Sequence, residues 1–72
     1  MTSQIEAQRV RRWQEDVARD PGSPSFLPLA EVYRKEGRLA VALRLCVRGL
    51  ERNPDHVEGP VLLGRISREL GE

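Results

Sequence analysis

Read for its apolar and polar positions, the chain divides into four stretches of helical periodicity, each closed by turn-forming residues. The clearest runs from Phe26 to Pro54. Phe26, Leu29, Ala30 and Tyr33 share one helical face. Gly37, a residue that accepts positive φ, closes that helix. A second helix then sets Leu39, Ala42, Leu43, Cys46, Gly49 and Leu50 on one side. Asn53-Pro54 stops it, because proline disfavours helical geometry in the residue before it. Val41 and Leu45 sit opposite that main stripe, so this helix is apolar almost all round and is expected to be covered on two sides.

The flanking stretches follow the same grammar. Ser3 with Glu6 forms a capping-box pattern. Val10, Trp13 and Val17 make an apolar stripe flanked by Ala7 and Ala18, with Ile5 off it and exposed, and Asp20-Pro21-Gly22 ends the helix. Ser23 or Ser25 is the expected N-cap of the next helix, with Pro24 and Pro28 in its first turn. The last helix carries Val61, Leu62, Leu63, Ile66 and Leu70 and ends at Gly71. The expected fold is all-α, with helices at about 4–19, 25–36, 39–52 and 57–70.

The segments also repeat one another. Val10, Trp13, Val17 and Asp20-Pro21 match Leu43, Cys46, Leu50 and Asn53-Pro54 at a constant offset of 33, although Arg9 and Asp16 replace the small Ala42 and Gly49. Leu63-Gly64 and Gly71 match Leu29-Ala30 and Gly37 at an offset of 34, with Pro60 and Ser67 in the places of Phe26 and Tyr33. The slots filled by Phe26, Leu29-Ala30, Tyr33, Gly37, Ala42, Cys46, Gly49-Leu50 and Pro54 resemble the tetratricopeptide repeat, whose period is about 34. Ala30 stands where glycine is usual, and Cys46 where an aromatic is usual. On that resemblance, residues 1–22 are the second helix of a degenerate preceding repeat, 23–56 a complete repeat, and 57–72 the first helix of a following one. The implied architecture is an antiparallel helix-turn-helix solenoid forming a single domain.

The resemblance implies a protein-interaction scaffold that binds a peptide or a partner's helix on a concave face. Leu27, Glu31, Arg34, Lys35, Val61, Arg65 and Arg68 are the positions that would line this face. Such a groove would be basic with apolar patches and would suit an acidic partner. Leu27 and Glu31 occupy the places of the Lys/Asn pairing of chaperone-type carboxylate clamps, so that ligand is not expected. Repeat units bury their apolar faces against neighbours, and about three are needed for independent stability. This chain has about two repeats' worth of helix. It is therefore expected to self-associate as a dimer, with membership of a longer array as the alternative. Val10, Trp13, Val17, Val41, Leu45 and the exposed side of the last helix are the candidate contacts. Trp13 reads equally as a core anchor against the two following helices.

Composition narrows the function classes. Twelve basic and eleven acidic residues give a net charge of +1, which argues against an Arg-rich nucleic-acid-binding module, the alternative reading. The row Arg44, Arg48, Arg52 reads as a solvated face or as a seat for an acidic partner. One cysteine excludes an internal disulfide, and on its apolar stripe Cys46 reads as a small hydrophobe. His56, the only histidine, sits in a turn with no accompanying Ser, Cys or carboxylate constellation. No phosphate loop, dinucleotide fingerprint or metal-ligand spacing occurs, so no catalytic residue, cofactor or metal is expected. Without a long apolar run or a leader-like start, a soluble cytoplasmic chain off the membrane is the default expectation.

Overall fold

Two glycines flank one phenyl ring at the centre of the molecule. The structure, a computed structural model, describes residues 4–71, the side chain of Ile5 excepted. It consists of four helices, α1 (Gln4–Arg19), α2 (Phe26–Lys35), α3 (Leu39–Arg52) and α4 (Gly59–Glu69), with no strand among the described residues. The Ser3–Glu6 capping box and the exposure of Ile5 lie outside what is described.

Phe26 is fully buried and belongs to a core cluster with Ala30, Ala42, Cys46, Leu62 and Ile66. Val17, Tyr33, Leu43, Leu45, Leu50 and Leu63 pack around it. A methyl group on Gly49 would lie 2.5 Å from the Phe26 ring, and one on Gly59 would lie 3.2 Å from its Cζ atom. Absence of a side chain at Gly49 therefore sets how closely α2 and α3 approach. Because Phe26 at the start of α2 meets Gly49 near the end of α3, these helices run antiparallel. Phe26 also meets Gly59 at the start of α4, and Arg34 meets Glu69 at the far ends, so α2 and α4 run parallel. The backbone of α3 approaches α2 and α4, whereas α1 approaches α2 alone.

The turns repeat as the sequence does. Gly37 adopts φ 82° and donates its N–H to the Arg34 carbonyl, while the Arg38 N–H reaches the Tyr33 carbonyl. This is the paired bonding of a Schellman cap. The Arg38 guanidinium, 4.8 Å from the centre of the Tyr33 ring, takes the place of the hydrophobic contact that usually closes the motif. One period later, Gly71 adopts φ 95° and donates to the Arg68 carbonyl. At the other end of the molecule the two Asx-Pro turns meet. Asn53 Nδ2 donates to the Gly22 carbonyl at 3.2 Å, and a methyl on Gly22 would lie 2.7 Å from Arg52 Cβ.

Several expectations are corrected. Helix α2 spans Phe26–Lys35 rather than 25–36. Ser25 occupies its N-cap position but makes no side-chain cap, because its hydroxyl donates to Asp16 Oδ2 on α1 at 2.7 Å. Helix α4 begins at Gly59 rather than 57, because His56 Nδ1 accepts the Gly59 N–H at 2.9 Å and so holds the preceding residues in a turn. The His56 ring also lies 4.9 Å from that of Phe26, giving the lone histidine a structural place. Of the apolar residues of α4, Leu62 and Ile66 are buried, whereas Val61 and Leu70 are exposed at 65% and 42%. Trp13 is half-buried and lines a cleft with Val32, Lys35 and Glu36, on the α2 side of α1.

A matched pair of substitutions tests this packing. Gly49→Ala gains helix propensity, but overpacking against the Phe26 ring outweighs it, and a net loss of about 1–3 kcal/mol is expected. A methyl at Gly64 meets nothing within 4 Å, so Gly64→Ala should stabilise by about 0.5–1 kcal/mol. Urea unfolding of the two variants should give shifts of opposite sign.

Candidate interaction surface

Parallel α2 and α4 leave a groove of about 350 Å³ between them, on the side away from the core. Its walls come from Leu27, Pro28 and Glu31 on one side and Glu58, Val61, Leu62 and Arg65 on the other. Four of the seven residues expected on the concave face thus meet here: Leu27, Glu31, Val61 and Arg65. Pro28, Glu58 and Leu62 were not foreseen. The period sets Val61 and Arg65 on one side of α4, but only the parallel setting of α2 and α4 brings Pro28, Glu58 and Leu62 to the same groove.

Arg34 is used differently from the expectation. Its Nε and Nη2 atoms donate to the two carboxylate oxygens of Glu31 at 2.8 and 2.6 Å, and Nη1 donates to Glu69 at 2.8 Å. The side chain is only 15% exposed. This bidentate fork plus a third bond ties α2 to α4 and leaves little of the guanidinium for a ligand. Both carboxylates favour its charged form, the Glu31 hydrogen bond most strongly. Reciprocally, the Arg34 hydrogen bonds hold the Glu31 carboxyl below its ordinary range, against an opposing effect of partial burial. Lys35 approaches Glu31 only to 3.9 Å and is largely exposed, as is Arg68. Glu31 on one wall stands opposite Arg65 on the other, and Glu58 shares the wall of Arg65, so the groove is mixed in charge rather than basic.

The residues foreseen as contacts between copies lie on two other faces. Val10 and Trp13 line a cleft between α1 and α2 with Val32, Lys35 and Glu36. Val17 and Leu45 pack against the core, and Val41 is half-buried. None of these five is among the large apolar side chains most exposed to solvent among the described residues, which are Val47, Val57, Val61 and Leu70. The row Arg44, Arg48 and Arg52 lines the outer face of α3 with Val47 and Glu51. Cys46 is completely buried, and burial pushes its thiol up to about 11. At neutral pH it is a packed apolar group rather than a nucleophile. Among the described residues, no helix is long and apolar enough to cross a membrane, and no three His, Cys, Asp or Glu side chains gather as a metal site. No protein-family model, curated protein or solved structure matches the chain.

Two measurements follow from these groups. The Asp16 carboxyl is lowered chiefly by the Ser25 hydroxyl and then by the Arg12 guanidinium, and Glu31 is lowered chiefly by Arg34. A native pKa below the unfolded value stabilises the fold above the unfolded value, and this contribution disappears as pH falls through the native one. The urea midpoint should therefore hold from neutrality to about pH 5 and fall below the ordinary values of 4.5 for Glu31 and 3.8 for Asp16. Combining Ser25→Ala with Glu31→Gln should flatten that fall. Separately, a thiol reagent at pH 7 should leave Cys46 unmodified in the native chain and label it stoichiometrically in urea; rapid native labelling would contradict its burial.

Proposed function

We propose that this chain is a tetratricopeptide-type interaction module that holds a segment of another polypeptide in the groove between α2 and α4. The groove itself carries the reading. It has an aliphatic floor of Leu27, Pro28, Val61 and Leu62, with Glu31, Glu58 and Arg65 at its margin. An apolar floor supplies non-directional affinity, and a few charges of both signs fix the orientation of the segment. Supporting the repeat reading are the recurrence of the Gly37 turn at Gly71 and the parallel setting of α2 and α4. The Arg34 clamp supports it too, since it fixes the spacing of the groove walls before anything binds. The fitting partner is a short amphipathic segment with apolar anchors and one or two charged groups, rather than a strongly acidic peptide.

The test is selection of peptides from a display library on the immobilised chain, followed by affinity measurement on variants. Val61→Asp should weaken a selected peptide by about tenfold or more, and Arg65→Glu should weaken peptides carrying an acidic residue. Arg48→Glu, on the outer face of α3, should have no effect. If no peptide is enriched, or if enriched peptides ignore Val61 and Arg65, the groove is not the binding site.

A nucleic-acid reading draws on one observation, that Arg44, Arg48 and Arg52 are exposed side by side. The net charge of +1 opposes it. A steep salt dependence of binding to generic RNA or DNA, abolished by Arg48→Glu, would favour this reading over the groove.

A further inference from the structure

The three charges that line the α2–α4 groove are not equivalent. Both carboxylate oxygens of Glu31 accept hydrogen bonds from Arg34, at 2.8 and 2.6 Å, so this charge is already answered within the chain. Glu58 and Arg65 are exposed, and neither makes a hydrogen bond or ion pair among the described residues. Arg65 reaches Glu31 only as a field that adds to the pull of Arg34. Glu58 is the N-cap of α4 and has helical backbone angles, φ −87° and ψ −17°. Val61 follows it by three residues and Arg65 follows Val61 by four, so the three share one helical face. That face reads acid, aliphatic, base over about two turns, or about 10.5 Å. Val61 is 65% exposed, so an apolar contact is on offer between two open charges of opposite sign.

We propose that the groove takes an amphipathic helix of another polypeptide, antiparallel to α2 and α4, in which an acid is followed by apolar anchors and then, seven residues on, by a base. This rests on the interaction-module reading and fixes the class and direction of the partner. A helix lying along α4 has the same rise per residue, so charges seven apart on it come level with Glu58 and Arg65 together. An antiparallel partner passes Arg65 first and Glu58 last, which demands the acid at its N-terminal end. That order also suits the partner's own dipole, which favours an acid in its first turn and a base in its last. The dipoles of α2 and α4 point the same way and add, and an antiparallel neighbour opposes both. A parallel partner would need the base first, against its own dipole and aligned with its neighbours'. On the opposite side, α3 already packs antiparallel to this pair, with Gly49 on Phe26 and Leu50 on Gly59. A volume of about 350 Å³ admits a few aliphatic side chains rather than a whole helix, so the partner lies over the groove and inserts its anchors between Leu27 and Leu62.

Three fluorescent peptides of one composition test this on the full chain. Two are stapled on the outer side to equal helicity, with leucines between an acid and a base seven residues apart, one acid-first and one base-first. The third is unstapled, with the charges three residues apart, the separation that would match the same distance in an extended segment. At low salt the acid-first helix should bind about tenfold more tightly than the base-first one, and raising salt should shrink that advantage. Combining Glu58→Lys with Arg65→Glu should reduce or reverse it. A spin label on the N-terminus of the acid-first helix should broaden the amide signals of Arg68 and Glu69 more than that of Gly59. Equal affinity for the two orders, stronger broadening at Gly59, or tighter binding of the extended peptide would overturn the proposal. No binding of any of the three at millimolar concentration would overturn it too, leaving the groove itself to the library selection. If both orders bind equally and Val61→Asp abolishes both, the groove stands and only the stated partner fails. Peptides that bind but ignore Val61→Asp sink the groove reading as well.

Discussion

The fold depends on one close packing, that of the Phe26 ring against the backbones of Gly49 and Gly59. A ring that is completely buried contributes about 3–5 kcal/mol by comparison with its removal. For a chain of this size that is a large share of the total stability. It also fixes geometry, since three helices meet on one side chain and the third is set parallel to the first. The α2–α4 groove is a by-product of that parallel setting. His56 contributes to the same point from the loop, its ring tilted at 54° against that of Phe26 while its Nδ1 atom accepts the first amide of α4. Core, helix start and groove are thus one construction rather than three.

Electrostatics then locks what packing sets. The Arg34 fork on Glu31 and its bond to Glu69 bridge the two parallel helices at the end opposite Phe26, so their spacing is fixed at both ends. Partial burial makes this clamp more than an ordinary surface pair, whose contribution is about 0–1 kcal/mol. The Ser25–Asp16 bond performs a similar task between α1 and α2, where the backbone approach is restricted to one pair of helices. In each case a polar side chain that local rules assign to its own helix end or to solvent is instead used between helices.

That difference marks what could be read from the residues alone. The four helices and the places where they stop were legible because the punctuation is strong: Asp20-Pro21-Gly22, Gly37, Asn53-Pro54 and Gly71 each carry a local physical reason to stop. The internal recurrence was legible too, as was the burial of Cys46. The fate of Arg34 was not, because Glu69 lies 35 positions away and becomes a neighbour only once α2 and α4 are parallel. Ser25 obeys the N-cap preference by position, but a carboxylate on another helix outcompetes its own backbone. Gly59 looked like the middle of a helix beginning at 57, and its tight contact with Leu50 and Phe26 follows only from the packed arrangement.

The two ends of the molecule differ in how freely the chain could be rebuilt there. Where Gly22 presses on Arg52 and Asn53 binds the Gly22 carbonyl, the loops are interlocked, and lengthening either would separate α1–α2 from α3–α4. At the opposite end the Gly37 turn is exposed, with nothing within 4 Å of where a Cβ on Gly37 would lie, so it is held only by its cap bonds and by the side chains of its own flanking residues. That turn is the natural place to graft a guest loop or an affinity epitope, since one added there would project away from the groove.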